Sequence, residues 1–143
     1  VVVEVAVFFT IPAFFRRWDA SWMLLIALLS SVVRWTVTAL FPDNLPVMLA
    51  IQTLHALGFA AFFAAAMQML ARYFPGRLNG HGQGLFYGFS SGLGGVIGAL
   101  VAGQLWRIDN GTTAFLVGAG FALVGAIIAW TWLARPLLGA RPK

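Results

Sequence analysis

From Val47 to Ala71 the chain reads VMLAIQTLHALGFAAFFAAAMQMLA, 25 residues without a formal charge. At 1.5 Å per residue a helix of that length spans about 37 Å, more than the roughly 30 Å hydrocarbon core of a bilayer. This run is expected to be a transmembrane helix. Yet Gln52 and His55 lie inside it. Polar and ionisable side chains are costly in lipid, and those that occur there usually face a bundle interior or a water-filled cavity. The rest of the chain is read as the setting for His55.

The same character extends along the sequence. Hydrophobic residues make up 61% of the 143 residues and charged residues only 9%, which places the chain among integral membrane proteins. The net charge of +5 does not point to nucleic acid, because the basic residues lie in short loops between apolar runs rather than along one face. With no cysteine there is neither a disulfide framework nor thiolate chemistry, and two histidines are too few for a metal cage. No metal or cofactor is expected.

Five apolar segments follow one another, at about 1–15, 21–41, 46–71, 84–106 and 112–134. Short connections make consecutive helices antiparallel neighbours. Seven basic residues (Arg16, Arg17, Arg72, Arg77, Arg135, Arg141 and Lys143) fall in alternate loops, whereas Arg107 alone marks the opposite side. Under the positive-inside rule the C-terminal tail is cytoplasmic. The first segment spans only about 22 Å at 1.5 Å per residue, and the chain begins VVVEVAVFFTIP without Met. It is therefore expected to be a fragment that starts part-way down a helix.

The fourth segment carries Gly84, Gly88 and Gly92, then Gly95, Ala99 and Gly103; the fifth repeats this more weakly through Gly118, Ala122 and Ala126. Small residues at that spacing let helix backbones approach closely, or let a helix bend. The six tryptophans mostly fall near segment ends, as interfacial aromatics do.

Three titratable or charged groups lie deep in apolar runs: Glu4, Arg34 and His55. Counted from the basic ends of their segments, they lie about 18, 20 and 25 Å deep. Three antiparallel helices thus carry an acid, a guanidinium and an imidazole to a similar level. Ser31 and Thr38 share the Arg34 face, Gln52 lies one turn from His55, and Phe8 lies one turn from Glu4. A polar cavity with aromatic walls is expected there. Desolvation and a nearby guanidinium act in opposite directions on a buried carboxyl, so small movements of Arg34 would load or release a proton on Glu4. Arg34 also offers a planar fork for a carboxylate, and His55 with Gln52 can relay a proton or bond a solute oxygen. Each residue also admits a structural role, Arg34 as an ion-pair partner and His55 as a hydrogen-bond donor between helices.

VVVEVAVFF, FFRRWDASWMLLIALLSSVVRW and IQTLHALGFAAFFAAAM resemble the eighth, ninth and tenth helices of major facilitator superfamily transporters of the lactose permease and phenylpropionate permease branch. The resemblance implies an all-α integral membrane bundle of about five helices, corresponding to helices 8–12 of a 12-helix fold whose N-terminal half is missing. It further implies a proton-coupled symporter in a bacterial inner membrane, working by alternating access, with Glu4, Arg34, His55 and Gln52 at the site. An aromatic acid such as a phenylpropionate is the solute that the branch suggests. At one position the chain departs from lactose permeases, which carry a proton-bearing Glu three residues after this His; Gly58 stands there instead.

Two other classes compete. A non-transporting multi-span subunit would use the same polar residues to hold helices together. An enzyme would need a nucleophile, base or metal gathered near an interface, and the loops offer only Asp19, His81 and Asp109 in unrelated places.

Overall fold

The computed structural model describes residues 18–134. Glu4 and the whole first apolar segment lie outside the described residues. Within them there is no strand, and four helices are long and apolar enough to cross a membrane: α1 (Ala20–Leu40), α2 (Leu45–Tyr73), α3 (Gly76–Asp109) and α4 (Thr112–Ala134). The chain is an all-α membrane bundle.

Local chemistry sets the ends. Asp19 caps α1, its Oδ1 accepting from the Ser21 N–H at 2.9 Å. Phe41 precedes Pro42, and a residue before proline is pushed out of the helical region; there φ is −130° and α1 stops. Asn44 caps α2 by accepting from the Val47 N–H at 3.2 Å, with Pro46 in the first turn, where a proline loses no hydrogen bond. Pro75 then separates α2 from α3. Between α3 and α4 the chain reverses through Asn110 (φ 54°) and Gly111 (φ 102°). Gly111 is required twice over, by its left-handed backbone and by Trp106, which a Cβ would meet at 2.6 Å.

α3 begins at Gly76, ahead of the expected start near 84, so most of the stretch read as a loop is helical. Glycine is a poor helix former, and Gly80, Gly82 and Gly84 concealed the helix in the sequence. Two contacts hold it. Gln83 Nε2 donates to Asn79 Oδ1 at 2.7 Å one turn away, and Gly82 lies against Phe74, where a Cβ would come within 2.7 Å of the ring.

Packing is centred on α1, which lies against both α2 and α4. Lipid supplies no hydrophobic drive between helices, so close van der Waals approach through small residues must hold them. On the α2 side Ala20, Met23 and Ala27 meet Ala61 and Ala65, and Gly58 continues that seam against Ser30. On the α4 side Leu25 meets Ala126 and Ala134, flanked by Trp22 and Leu28. Trp22 and Trp130 meet edge to face at 5.5 Å.

α3 is different. It touches α2 and α4 near its ends, and none of its residues from Gly88 onward is buried. Its small-residue stripe, read as a packing face, meets no side chain of the described residues within 4 Å at Gly84, Gly88, Gly95 or Gly103. Between Gly88 and Leu93 the α-helix widens to a π-turn, a feature often found beside functional sites.

One polar tie joins the basic end of the bundle: Arg72 Nη1 donates to Asp19 Oδ2 at 2.8 Å, linking the last turn of α2 to the cap of α1. Partial burial pushes the Asp19 carboxyl up, but the Ser21 backbone and side-chain bonds and the Arg72 guanidinium together outweigh it and hold the carboxyl below its usual value of 3.8. The stabilisation is therefore complete above that value and lost as pH falls through the lower folded value. Asp19→Ala is expected to cost about 1–2 kcal/mol, mostly through the cap, since an exposed ion pair adds little. Thermal unfolding in detergent checks this, and Asp19→Asn should flatten the acid side of the pH–stability curve.

Candidate functional site

Because α3 approaches its neighbours only near its ends, a cavity of about 880 Å³ remains among the four helices. α1 contributes Ser31, Arg34 and Trp35; α2 contributes His55, Gly58, Phe59, Phe62 and Phe63. Ser90, Gly94, Ile97 and Gly98 of α3 and Val117, Gly118 and Phe121 of α4 line the remainder. The walls are mainly apolar with a few polar groups, the usual constitution of a small-molecule site.

Helix geometry explains why the polar groups meet. Arg34 lies six residues before the end of α1, about 9 Å along the axis, and His55 ten residues after the start of α2, about 15 Å. These two ends are joined by the short Phe41–Asn44 turn. The antiparallel hairpin thus places the guanidinium and the imidazole within about one helical turn of the same level.

Both residues are half-buried. No carboxylate of the described residues lies in ion-pair reach of Arg34; its guanidinium carbon instead sits 5.4 Å from the Trp35 ring centroid, within cation–π range. The His55 ring lies 5.8 Å from that of Phe59. About two turns further along α2, Phe62 and Phe63 pack with Phe86 and Tyr87 of α3, with Phe63 and Tyr87 stacked at 6.0 Å. This aromatic cluster lies immediately before the π-turn that carries Ser90.

The hydroxyls of the expected polar stripe are largely satisfied by their own helix. Ser31 Oγ donates to the Ala27 carbonyl at 3.1 Å and Thr38 Oγ1 to that of Arg34 at 2.8 Å. Ser31 still lines the cavity, whereas Thr38 is buried and does not. Gln52 is exposed and is not among the lining residues. Of the four residues singled out in the sequence, the structure brings Arg34 and His55 to one cavity, leaves Gln52 on an outer face, and does not describe Glu4.

Two lining residues escaped the sequence reading. Trp35, grouped there with interfacial tryptophans, points into the bundle and packs directly on the Gly118 backbone. Ser90 is the polar side chain that α3 brings to the cavity, and it is hidden in a segment whose glycines are its most visible feature. The adjacent pair Arg34–Trp35, a cation beside a large ring at membrane depth, was the signal available for the first.

The described helices thus form an apolar bundle around a cavity that holds a half-buried cation. Comparison with family models points to a transporter: the chain belongs to the MFS_1 like family, a major facilitator superfamily-like family, whose model matches residues 1–117. No curated protein and no solved structure matches the chain.

Gly58 shows why the position three residues after His55 carries no side chain. A Cβ there would lie 2.5 Å from Ser30 Oγ and 3.5 Å from the Ala27 carbonyl oxygen, so a carboxylate-bearing residue would force α1 and α2 apart. Gly58→Ala is expected to destabilise the bundle by about 1–3 kcal/mol through overpacking. Ser30→Ala should recover most of that loss in the double variant, since the hydroxyl is the offending atom. A double-mutant cycle on thermal stability in detergent reads the coupling, and additive losses would contradict the contact.

Proposed function

We propose that this chain forms part of a proton-coupled secondary transporter that carries a small organic solute by alternating access, with an aromatic acid such as a phenylpropionate as the solute class. The observation that carries this reading is the cavity in which Arg34 and His55 share mainly apolar and aromatic walls. A guanidinium in such surroundings favours a carboxylate partner, because an unpaired charge removed from water is costly and a planar fork bonds a carboxylate through two parallel hydrogen bonds. Phe59, Phe62, Phe63 and Phe121 would take the flat apolar body of the solute. An imidazole can both accept and donate a proton, so His55 is the group of the described cavity suited to couple solute binding to a proton gradient. Glu4, carried on the preceding segment, would join the site; Gln52, exposed one turn from His55 and outside the described cavity, would reach it only from the side of the remaining wall, which would come from the N-terminal half of the transporter. The distribution of basic residues favours a cytoplasmic C-terminus, and the family resemblance suggests a bacterial inner membrane.

The alternative, a non-transporting subunit stabilised by its polar residues, finds less support. Among the described residues neither Arg34 nor His55 makes a side-chain hydrogen bond to another helix, and the seams between helices are built from alanine and glycine instead. The side-chain bond that does join two helices, Arg72 to Asp19, lies at the end of the bundle.

Reconstituted full-length protein tests the proposal. With an inward proton gradient, radiolabelled 3-phenylpropionate should accumulate. Arg34→Ala should reduce uptake about a hundredfold or more, as loss of one member of a buried charge pair does. His55→Ala should abolish gradient-driven accumulation while insertion into the membrane is retained. Unchanged coupled uptake in both variants would overturn the reading.

A further inference from the structure

Arg34 and Trp35 are consecutive, and consecutive residues on a helix do not face each other. Their side chains nevertheless meet, with the guanidinium carbon 5.4 Å from the indole centroid. Something must therefore fix the ring where the cation can reach it. α4 does so. A Cβ at Gly118 would overlap the six-membered part of the Trp35 indole, so the ring lies directly on the α4 backbone. Hydrogen bonding does not hold it, since Trp35 Nε1 is buried without an acceptor among the described residues. Packing against Gly118 is what sets the ring position.

The three groups also share a level. Gly118 lies six residues into α4 and Arg34 six residues before the end of α1, each about 9 Å from the same side of the bundle. All three line the cavity. A cation seated on an aromatic face is held by the ring quadrupole and keeps its hydrogen-bonding edge free for another partner.

We infer that Trp35, seated on Gly118, is the positioning residue for Arg34, and that this stack gives the cavity its preference for a carboxylate over a neutral solute of the same shape. The inference rests on the transport reading above. It makes Gly118 a specificity determinant through space it leaves empty rather than through any group it contributes. It also couples α4, which carries no charged residue among the described ones, to solute selection on α1.

The test is direct binding of 3-phenylpropionate and of the neutral 3-phenylpropanol to purified full-length protein. Wild type should prefer the carboxylate and Arg34→Ala should lose that preference; a wild type without it removes the transport reading and this inference together. Given that preference, Gly118→Ala and Trp35→Leu should each lower it about tenfold by weakening carboxylate binding alone, the scale of one well-placed cation–π contact. Trp35→Phe keeps a ring and should stay within about threefold of wild type. In Gly118→Ala/Trp35→Phe the smaller ring clears the new methyl, so the preference should rise above that of Gly118→Ala. Equal weakening of both solutes in Gly118→Ala and Trp35→Leu would show a merely structural role and overturn the inference, as would wild-type preference in both. Should Gly118→Ala not be recovered folded, Trp35→Leu, which removes the ring without adding bulk at α4, decides the question alone.

Discussion

The close approach of α1 to α2 and α4 through alanine and glycine is the constraint on which the rest of the structure depends. In a bilayer the lipid tails are as apolar as leucine, so two helices gain little by covering each other's large side chains. They gain by bringing their backbones together. Ala20 and Ala27 on α1 with Ala61 and Ala65 on α2 do this along one seam, and Gly58 extends it to the level where side chains of chemical interest begin. Were that seam looser, Arg34 and His55 would still occupy similar depths, but they would not border one cavity.

The cavity itself arises from what α3 does not do. Aromatic contacts at one end and the Asn110–Gly111 reversal at the other hold it to its neighbours. In between, its π-turn and glycines leave room beside the Arg34 and His55 faces. A rigid pair of seams and a loosely packed third wall together make a polar-centred chamber in an otherwise apolar bundle. Such a division of labour suits the alternating access proposed above, because moving elements are drawn from the least packed part of a structure.

Much of this was legible in the sequence, for physical reasons. Long charge-free runs fix transmembrane helices because bilayer thickness and helix rise leave little choice, and antiparallel order makes depth a matter of counting, which brings Arg34 and His55 to a similar level from the sequence itself. What was not legible was which small residues meet. Gly84, Gly88 and Gly92 carry the more obvious pattern, yet the described neighbours lie elsewhere; the working seam is Gly58, Ala61 and Ala65, inside a run whose alanines read as ordinary helix formers. Spacing shows that a face is smooth and not what lies against it. The early start of α3 was concealed by the low helix propensity of its glycines. Trp35 was concealed by the general habit of tryptophan to sit at interfaces, although its place beside a buried arginine argued otherwise.

α1, α2 and α3 line one cavity, and if it is the proposed carboxylate site, water and the solute must both reach it. These 143 residues contain no cysteine, so with any cysteine elsewhere in the full-length protein replaced by serine, single cysteines report without background. Ser31→Cys and Ser90→Cys in the full-length protein place thiols on the α1 and α3 walls of the cavity. A water-soluble methanethiosulfonate reagent should modify both, and 3-phenylpropionate should slow both reactions. Two thiols that resist the reagent, or that react at a rate indifferent to the carboxylate, would contradict the proposed site.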